Sequence, residues 1–101
     1  MADRRRYERI ALPLEARWEG LSGKHPARLS DLSLGGCFVE SLGQVSVGEY
    51  IRFDIQLPTG RWMSLEGEVM YHQPNLGFGV RFTELPDLER EMLASLVEYG
   101  S

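Results

Sequence analysis

Polar and apolar positions alternate with a period of two along most of the chain, the mark of strands with one buried face. The clearest run is Tyr50 to Leu57, where Ile51, Phe53, Ile55 and Leu57 fall on one side and Arg52, Asp54 and Gln56 on the other. Trp62 to Tyr71 predicts a long strand with Leu65, Gly67, Val69 and Tyr71 on one face, and Leu76 to Phe82 predicts its return, with Phe78, Val80 and Phe82 alternating. Nearer the start, apolar Ala11-Leu12-Pro13-Leu14 leads into the alternating Glu15-Ala16-Arg17-Trp18-Glu19. Pro26 to Leu32 is extended, with Ala27, Leu29 and Leu32 on different sides, and Cys37-Phe38-Val39 is a short buried strand. Turn chemistry separates these runs at Gly20 to Gly23, Ser33 to Gly36, Pro58-Thr59-Gly60 and Gln73-Pro74-Asn75, and Gly43 to Gly48 is a polar loop.

The period changes at the end of the chain. Pro86 followed by Asp87, Glu89 and Glu91 is a helix start with acids at its positive end. Leu85, Leu88, Met92, Leu96 and Tyr99 then recur at steps of three and four, with Leu93 alongside, and Gly100 is a stop signal. A helix at about 86–99 with an apolar stripe must lie on the sheet. Six or so short strands followed by one helix predict an all-β-dominated fold, a small antiparallel barrel capped by that helix. Residues 1–9 carry no core-forming pattern and predict a flexible, solvated arm, leaving 10–101 as the barrel domain.

Composition narrows the function. A chain of 101 residues, 43% hydrophobic and 26% charged, suits one soluble domain. No apolar run reaches membrane-spanning length, and no apolar segment follows the basic start, so neither membrane insertion nor a secretory signal is expected and a cytoplasmic location of bacterial type is. Cys37 is the only cysteine, which rules out an internal disulfide and a two-cysteine metal site. The net charge of −4 divides unevenly: side chains of residues 1–9 contribute +2 and the rest −6. An acidic body repels a long polyanion, so DNA and RNA are not expected partners, whereas an arginine-rich arm can grip one small anion. Arginine suits that task because its planar fork binds phosphate in two places and its face stacks on a base.

Two spacings carry the chemistry. Arg5-Arg6-Tyr7-Glu8-Arg9, behind Arg4, is R-x-x-x-R, and Asp31-Leu32-Ser33-Leu34-Gly35-Gly36 is D-x-S-x-x-G. Either alone is weak: basic termini are common, and a D-x-S turn often only caps itself. Together, one ahead of the first strand and the other at a break between later strands, the chain resembles the PilZ domain family of cyclic di-GMP receptors, and specifically its stand-alone members. The resemblance also takes in Gly67-Glu68-Val69, the stretch Leu76-Gly77-Phe78-Gly79-Val80-Arg81-Phe82 and the terminal helix. It implies a six-stranded antiparallel barrel with a C-terminal α-helix. It also implies cyclic di-GMP as ligand, bound by Arg5, Arg9, Asp31, Ser33 and Gly36, with Arg4 added by adjacency. Some family members place a tryptophan against a guanine near the last hairpin; here that stretch reads Val69-Met70-Tyr71-His72, which leaves Met70 and Tyr71 as candidates for the contact.

The ligand explains the residue types. Cyclic di-GMP carries two phosphodiester charges and two guanines. Arginines bind phosphate or the guanine O6/N7 edge and stack on guanine faces. An ionised Asp31 accepts from guanine N1–H and the 2-amino group, Ser33 donates to phosphate, and Gly36 lets the ligand approach the backbone. The extra Arg4 points to two ligands per chain. Binding is expected to order the arm and to signal through a downstream protein partner, without catalysis and without any cofactor or metal. The alternative is a PilZ-like interaction module that binds no nucleotide. Elsewhere, His25 and His72 read as surface histidines, Trp18 and Trp62 as packing residues, and Glu66 and Glu68 as one solvated face of a strand.

Overall fold

A computed structural model describes residues 10–100. Six strands form in chain order: β1 (Leu14–Gly20), β2 (Gly23–Leu32), β3 (Gly36–Glu40), β4 (Tyr50–Gln56), β5 (Trp62–Gln73) and β6 (Gly77–Glu84), followed by helix α1 (Asp87–Gly100). All neighbours are antiparallel and the strands close into a barrel in the order β1-β2-β3-β6-β5-β4. The tight connections sit where the turn residues are. Leu21-Ser22 joins β1 to β2 between two glycines, and the β4–β5 turn is tied by Leu57 N–H to Arg61 carbonyl at 2.7 Å and Gly60 N–H to Leu57 carbonyl at 2.8 Å.

The inward positions fill one core. Leu14, Ala16 and Trp18 of β1, Ile51, Phe53 and Ile55 of β4, Met63, Leu65 and Val69 of β5, and Phe78, Val80 and Phe82 of β6 are all buried. Trp18 is the largest of the buried side chains, 2% exposed. Its Nε1 donates to Ser41 Oγ at 2.9 Å, and its ring meets the Phe78 ring edge-on with centroids 5.1 Å apart. His25 stacks on it with ring centroids 4.5 Å apart, a half-buried surface histidine that covers the tryptophan. No buried side-chain nitrogen or oxygen among the described residues lacks a hydrogen-bond partner.

The strand register shifts in three places, between Leu29 and Asp31 in β2 and, in β5, between Glu66 and Gly67 and between Val69 and Tyr71, and the first and last of these change which side chains face inward. In β2 the register against β3 shifts between Leu29 and Asp31. In a regular strand Leu29 and Leu32 would face opposite sides; the extra residue turns both inward, and both are fully buried. In β5 the register against β6 shifts between Val69 and Tyr71. Tyr71, expected to share the inner face with Val69, is therefore turned out of the core and is 44% exposed.

The helix caps the barrel, but on a face rotated from the expected stripe. Leu93, Leu96 and Val97 are buried and Met92 packs beside them, whereas Leu88 and Tyr99 are 64% and 72% exposed. The seam follows the docking contact: Gly100 lies close against Ile10, and positions three and four residues before it point the same way. Ile10 itself pairs with Leu32 through two backbone hydrogen bonds of 2.9 and 3.0 Å, fixing the start of the described chain beside the β2–β3 turn.

Candidate functional site

The D-x-S-x-x-G segment is the β2–β3 turn, and Ser33 is its internal brace. Ser33 N–H donates to the Gly36 carbonyl at 2.9 Å. The Ser33 hydroxyl accepts from Gly35 N–H at 3.1 Å and Gly36 N–H at 3.3 Å, and donates to the Gly36 carbonyl at 3.3 Å. The side chain is 3% exposed. Its one donor is thus used inside the turn, and donation to a phosphate means giving up that bond. The turn is stitched to the next sheet neighbour by Phe82 N–H donating to the Gly35 carbonyl at 3.0 Å. Gly36 also has a packing reason to be glycine. A Cβ there would lie 2.1 Å from the Val80 carbonyl oxygen, a contact that backbone cannot relieve.

Asp31 reaches the outside of the barrel through the β2 bulge. With Leu29 and Leu32 both inward, the residues between them face out, and Asp31 pairs across the ladder with Phe38. The outer row continues Phe38–Gly79–Tyr71 over β3, β6 and β5. Gly79 makes this row possible. A Cβ on it would sit 2.2 Å from Tyr71 Cε1, so the missing side chain is the space the tyrosine ring occupies as it leans towards Phe38, with centroids 6.2 Å apart. Two bulges therefore present a carboxylate and an aromatic face on the same side of the barrel.

Between this row and the turn lies a recess of about 240 Å³. Ser33, Gly35 and Gly36 form one wall, Met70 and Tyr71 another, and Arg81 closes it. Arg81 stands next to Gly36 on one side and Glu68 on the other, and its Nη2 donates to Glu68 Oε1 at 2.7 Å. Asp31, Ser33 and Gly36 are thus brought together at one turn, and both Met70 and Tyr71 line the recess beside it. Arg4, Arg5 and Arg9 lie outside the described residues. Sequence reasoning passed over Phe38, Arg81 and Glu68. The signal for Arg81 was present: it is the one cation at an outward position between Phe78 and Phe82. Glu68 was read only as part of a solvated face.

A larger groove of about 570 Å³ occupies the opposite half of the barrel, on β1, β2 and β4. Its charges are largely matched. Arg17 Nε donates to Asp54 Oδ2 at 3.0 Å while its guanidinium lies 4.2 Å from the centre of the Trp62 ring, and Lys24 is 3.9 Å from Glu19. Partial burial pushes the Asp54 carboxyl up, but hydrogen bonds from Ser64 and Arg17 and the charges of Arg17 and Arg52 outweigh it, so it sits below its ordinary value of 3.8. The face is an ion-paired surface rather than a second anion cradle. Among the described residues no group of three or more His, Cys, Asp or Glu side chains could hold a metal ion, and no helix is long and apolar enough to cross a membrane.

Known proteins share this fold. The PilZ domain family matches residues 3–99. The structure of the PilZ domain of YcgR from Escherichia coli with c-di-GMP superposes with a TM-score of 0.78 at 17% identity, covering 97% of this chain and 92% of that one. The Bacillus subtilis inhibitor of motility MotI/DgrA gives 0.77 at 20% identity, covering 97% of this chain; the present chain spans about half (51%) of its length. The PilZ domain of CeSA from a cellulose-synthesizing bacterium gives 0.70 at 18% identity, with 91% and 96% coverage. No curated protein matches the sequence.

Proposed function

The chain belongs to the PilZ domain family, and from that premise we propose that it is a receptor for cyclic di-GMP that acts by binding and carries no catalysis of its own. The observation that carries the reading is the placement of Asp31. A bulge sets it on the outer side of β2, next to the Ser33–Gly36 turn and in one cross-strand row with Phe38 and Tyr71. A carboxylate next to flat aromatic faces suits a guanine, which offers two donors on one edge and a surface to stack. Arg5 and Arg9, with Arg4, supply the guanidinium groups for the phosphodiesters, and the extra arginine favours two ligands per chain. YcgR is structurally similar and its PilZ domain is known with c-di-GMP, which supports the same ligand class here.

In this reading residues 1–9 form an arm whose arginines repel one another until a dianionic ligand ties them to the turn. The signal is the new surface of arm, ligand and barrel, read in the cytoplasm by a protein partner. Calorimetric titration of the chain with cyclic di-GMP tests it. Arg9→Ala is expected to lose on the order of 1.5–3 kcal/mol, as for a charge-assisted hydrogen bond, with the melting temperature unchanged. A folded Arg9→Ala protein that binds normally would remove the arm from the site, and a one-to-one end point at saturation would reject the ligand pair.

A second reading has one observation in its favour. Ser33 and Gly36 are fully accounted for by the turn's own hydrogen bonds and by the Val80 carbonyl, so half of the D-x-S-x-x-G motif would be kept even by an interaction module that binds no nucleotide. Absence of binding heat from the folded protein selects it.

A further inference from the structure

Arg81 is the one cationic residue among the described residues that line the recess. Its place follows from register. Gly36, Arg81 and Glu68 are direct neighbours across β3, β6 and β5, so the Arg81 side chain has a carboxylate on one flank and a residue with no side chain on the other. The open flank is the end of the Ser33–Gly36 turn. Among the described residues the closed flank is one contact, Nη2 to Oε1, with the Arg81 and Glu68 side chains 57% and 23% exposed. The pair is open to solvent on the arginine's side, which limits how firmly Glu68 holds Arg81. It also uses only part of the guanidinium fork, which can grip a phosphodiester through two parallel N–H bonds.

We propose that Arg81 is a ligand-recognising guanidinium of this recess, held by Glu68 and handed to a phosphodiester of the ligand when the site fills. The role rests on the receptor reading given above. Exchange removes one exposed ion pair and forms a charge-assisted bond on the side facing Gly36. Glu68 then acts against the ligand twice, by holding Arg81 and by repelling the incoming anion. A cross-strand pair that merely steadies the sheet has no such sign: losing either partner would weaken binding or leave it alone.

Titration of the full 101-residue chain with cyclic di-GMP at fixed ionic strength separates these roles. Arg81→Ala is expected to weaken binding about tenfold, the low end for a charge-assisted bond because Glu68 already competes for it. Arg81→Lys, which keeps the charge and loses the fork, is expected to fall between the two. Glu68→Gln is expected to tighten binding about threefold, since an exposed pair of this kind restrains its arginine only modestly. Melting curves of the three variants show that each is folded. Wild-type binding combined with an Arg81→Ala protein that binds equally well, or a Glu68→Gln protein that binds more weakly, overturns the exchange and leaves the receptor reading standing. A folded wild-type chain that binds no cyclic di-GMP overturns both.

Discussion

Replacing Gly36 with alanine asks whether the glycine serves the ligand or the barrel. The added Cβ would stand 2.1 Å from the Val80 carbonyl oxygen, 3.1 Å from its carbon and 3.3 Å from Arg81 Cα. All three are backbone atoms, so no side chain can swing away; β3 has to move off β6. Overpacking of a filled site costs about 1–3 kcal/mol. Stretching a ladder hydrogen bond beyond useful length adds about 1 kcal/mol. The sum, about 2–4 kcal/mol, is a large share of the roughly 5–15 kcal/mol expected for a domain of this size. It corresponds to a fall in melting temperature of about 10–20 °C. Far-UV circular dichroism on heating, with urea unfolding followed by tryptophan fluorescence, measures both the midpoint and the cooperativity. An alanine variant melting within about 3 °C of wild type would refute the steric argument. If that stable variant had also lost cyclic di-GMP binding, the requirement for glycine would belong to the ligand.

Other expectations follow from the receptor reading and from the ion pairs of the barrel. Asp31→Ala should weaken cyclic di-GMP binding and narrow the preference over cyclic di-AMP, because adenine lacks the N1–H and 2-amino donors; equal losses for both ligands in titration would make Asp31 a turn residue only. Asp54 has a folded pKa below 3.8, so its ionised form adds stability that is complete above that value and is lost as pH falls through the lower folded value. Asp54→Asn should therefore show a flatter melting temperature than wild type below about pH 4, and parallel curves would contradict the assignment. Amide exchange in residues 4–9 should be fast without cyclic di-GMP and slowed at saturation while Tyr50 to Phe82 change little; protection already present without ligand would contradict an arm-ordering switch.

The elements with uninterrupted alternation were legible from the sequence. Ile51, Phe53 and Ile55, and Phe78, Val80 and Phe82, face inward because nothing disturbs their period. Bulges are where legibility ended. The three-residue step from Leu29 to Leu32 read as two faces because the extra residue between them exists only in relation to β3. Val69 and Tyr71 read as one face for the converse reason. The same two bulges aim Asp31 and Tyr71 at the site, so the local pattern broke where the candidate chemistry lies. The helix seam is not legible from spacing because Leu88 and Tyr99 are as apolar as Leu93 and Val97, and contacts with the barrel core and Ile10, distant in sequence, cover the second set. D-x-S-x-x-G was readable as a motif, but the Val80 carbonyl against Gly36 and the Glu68 partner of Arg81 are contacts between distant strands, which spacing along the chain does not encode.

Closure of the strand ring also has a kinetic meaning. Hairpins such as β1–β2 and β4–β5 join residues close in sequence, but the ring shuts only when Ala16 meets Ile55 and Gly36 meets Arg81, across large stretches of chain. Loop-closure entropy must be met before such pairings reward it, and domains dominated by them fold in milliseconds to seconds. The Ser33–Gly36 turn and Arg81 stand on opposite banks of the β3–β6 seam. A molecule gripping both banks would work as a latch. It would leave the search for the fold nearly as slow as before and lengthen the lifetime of the closed ring once formed, because contacts made after the rate-limiting step retard opening rather than hasten assembly.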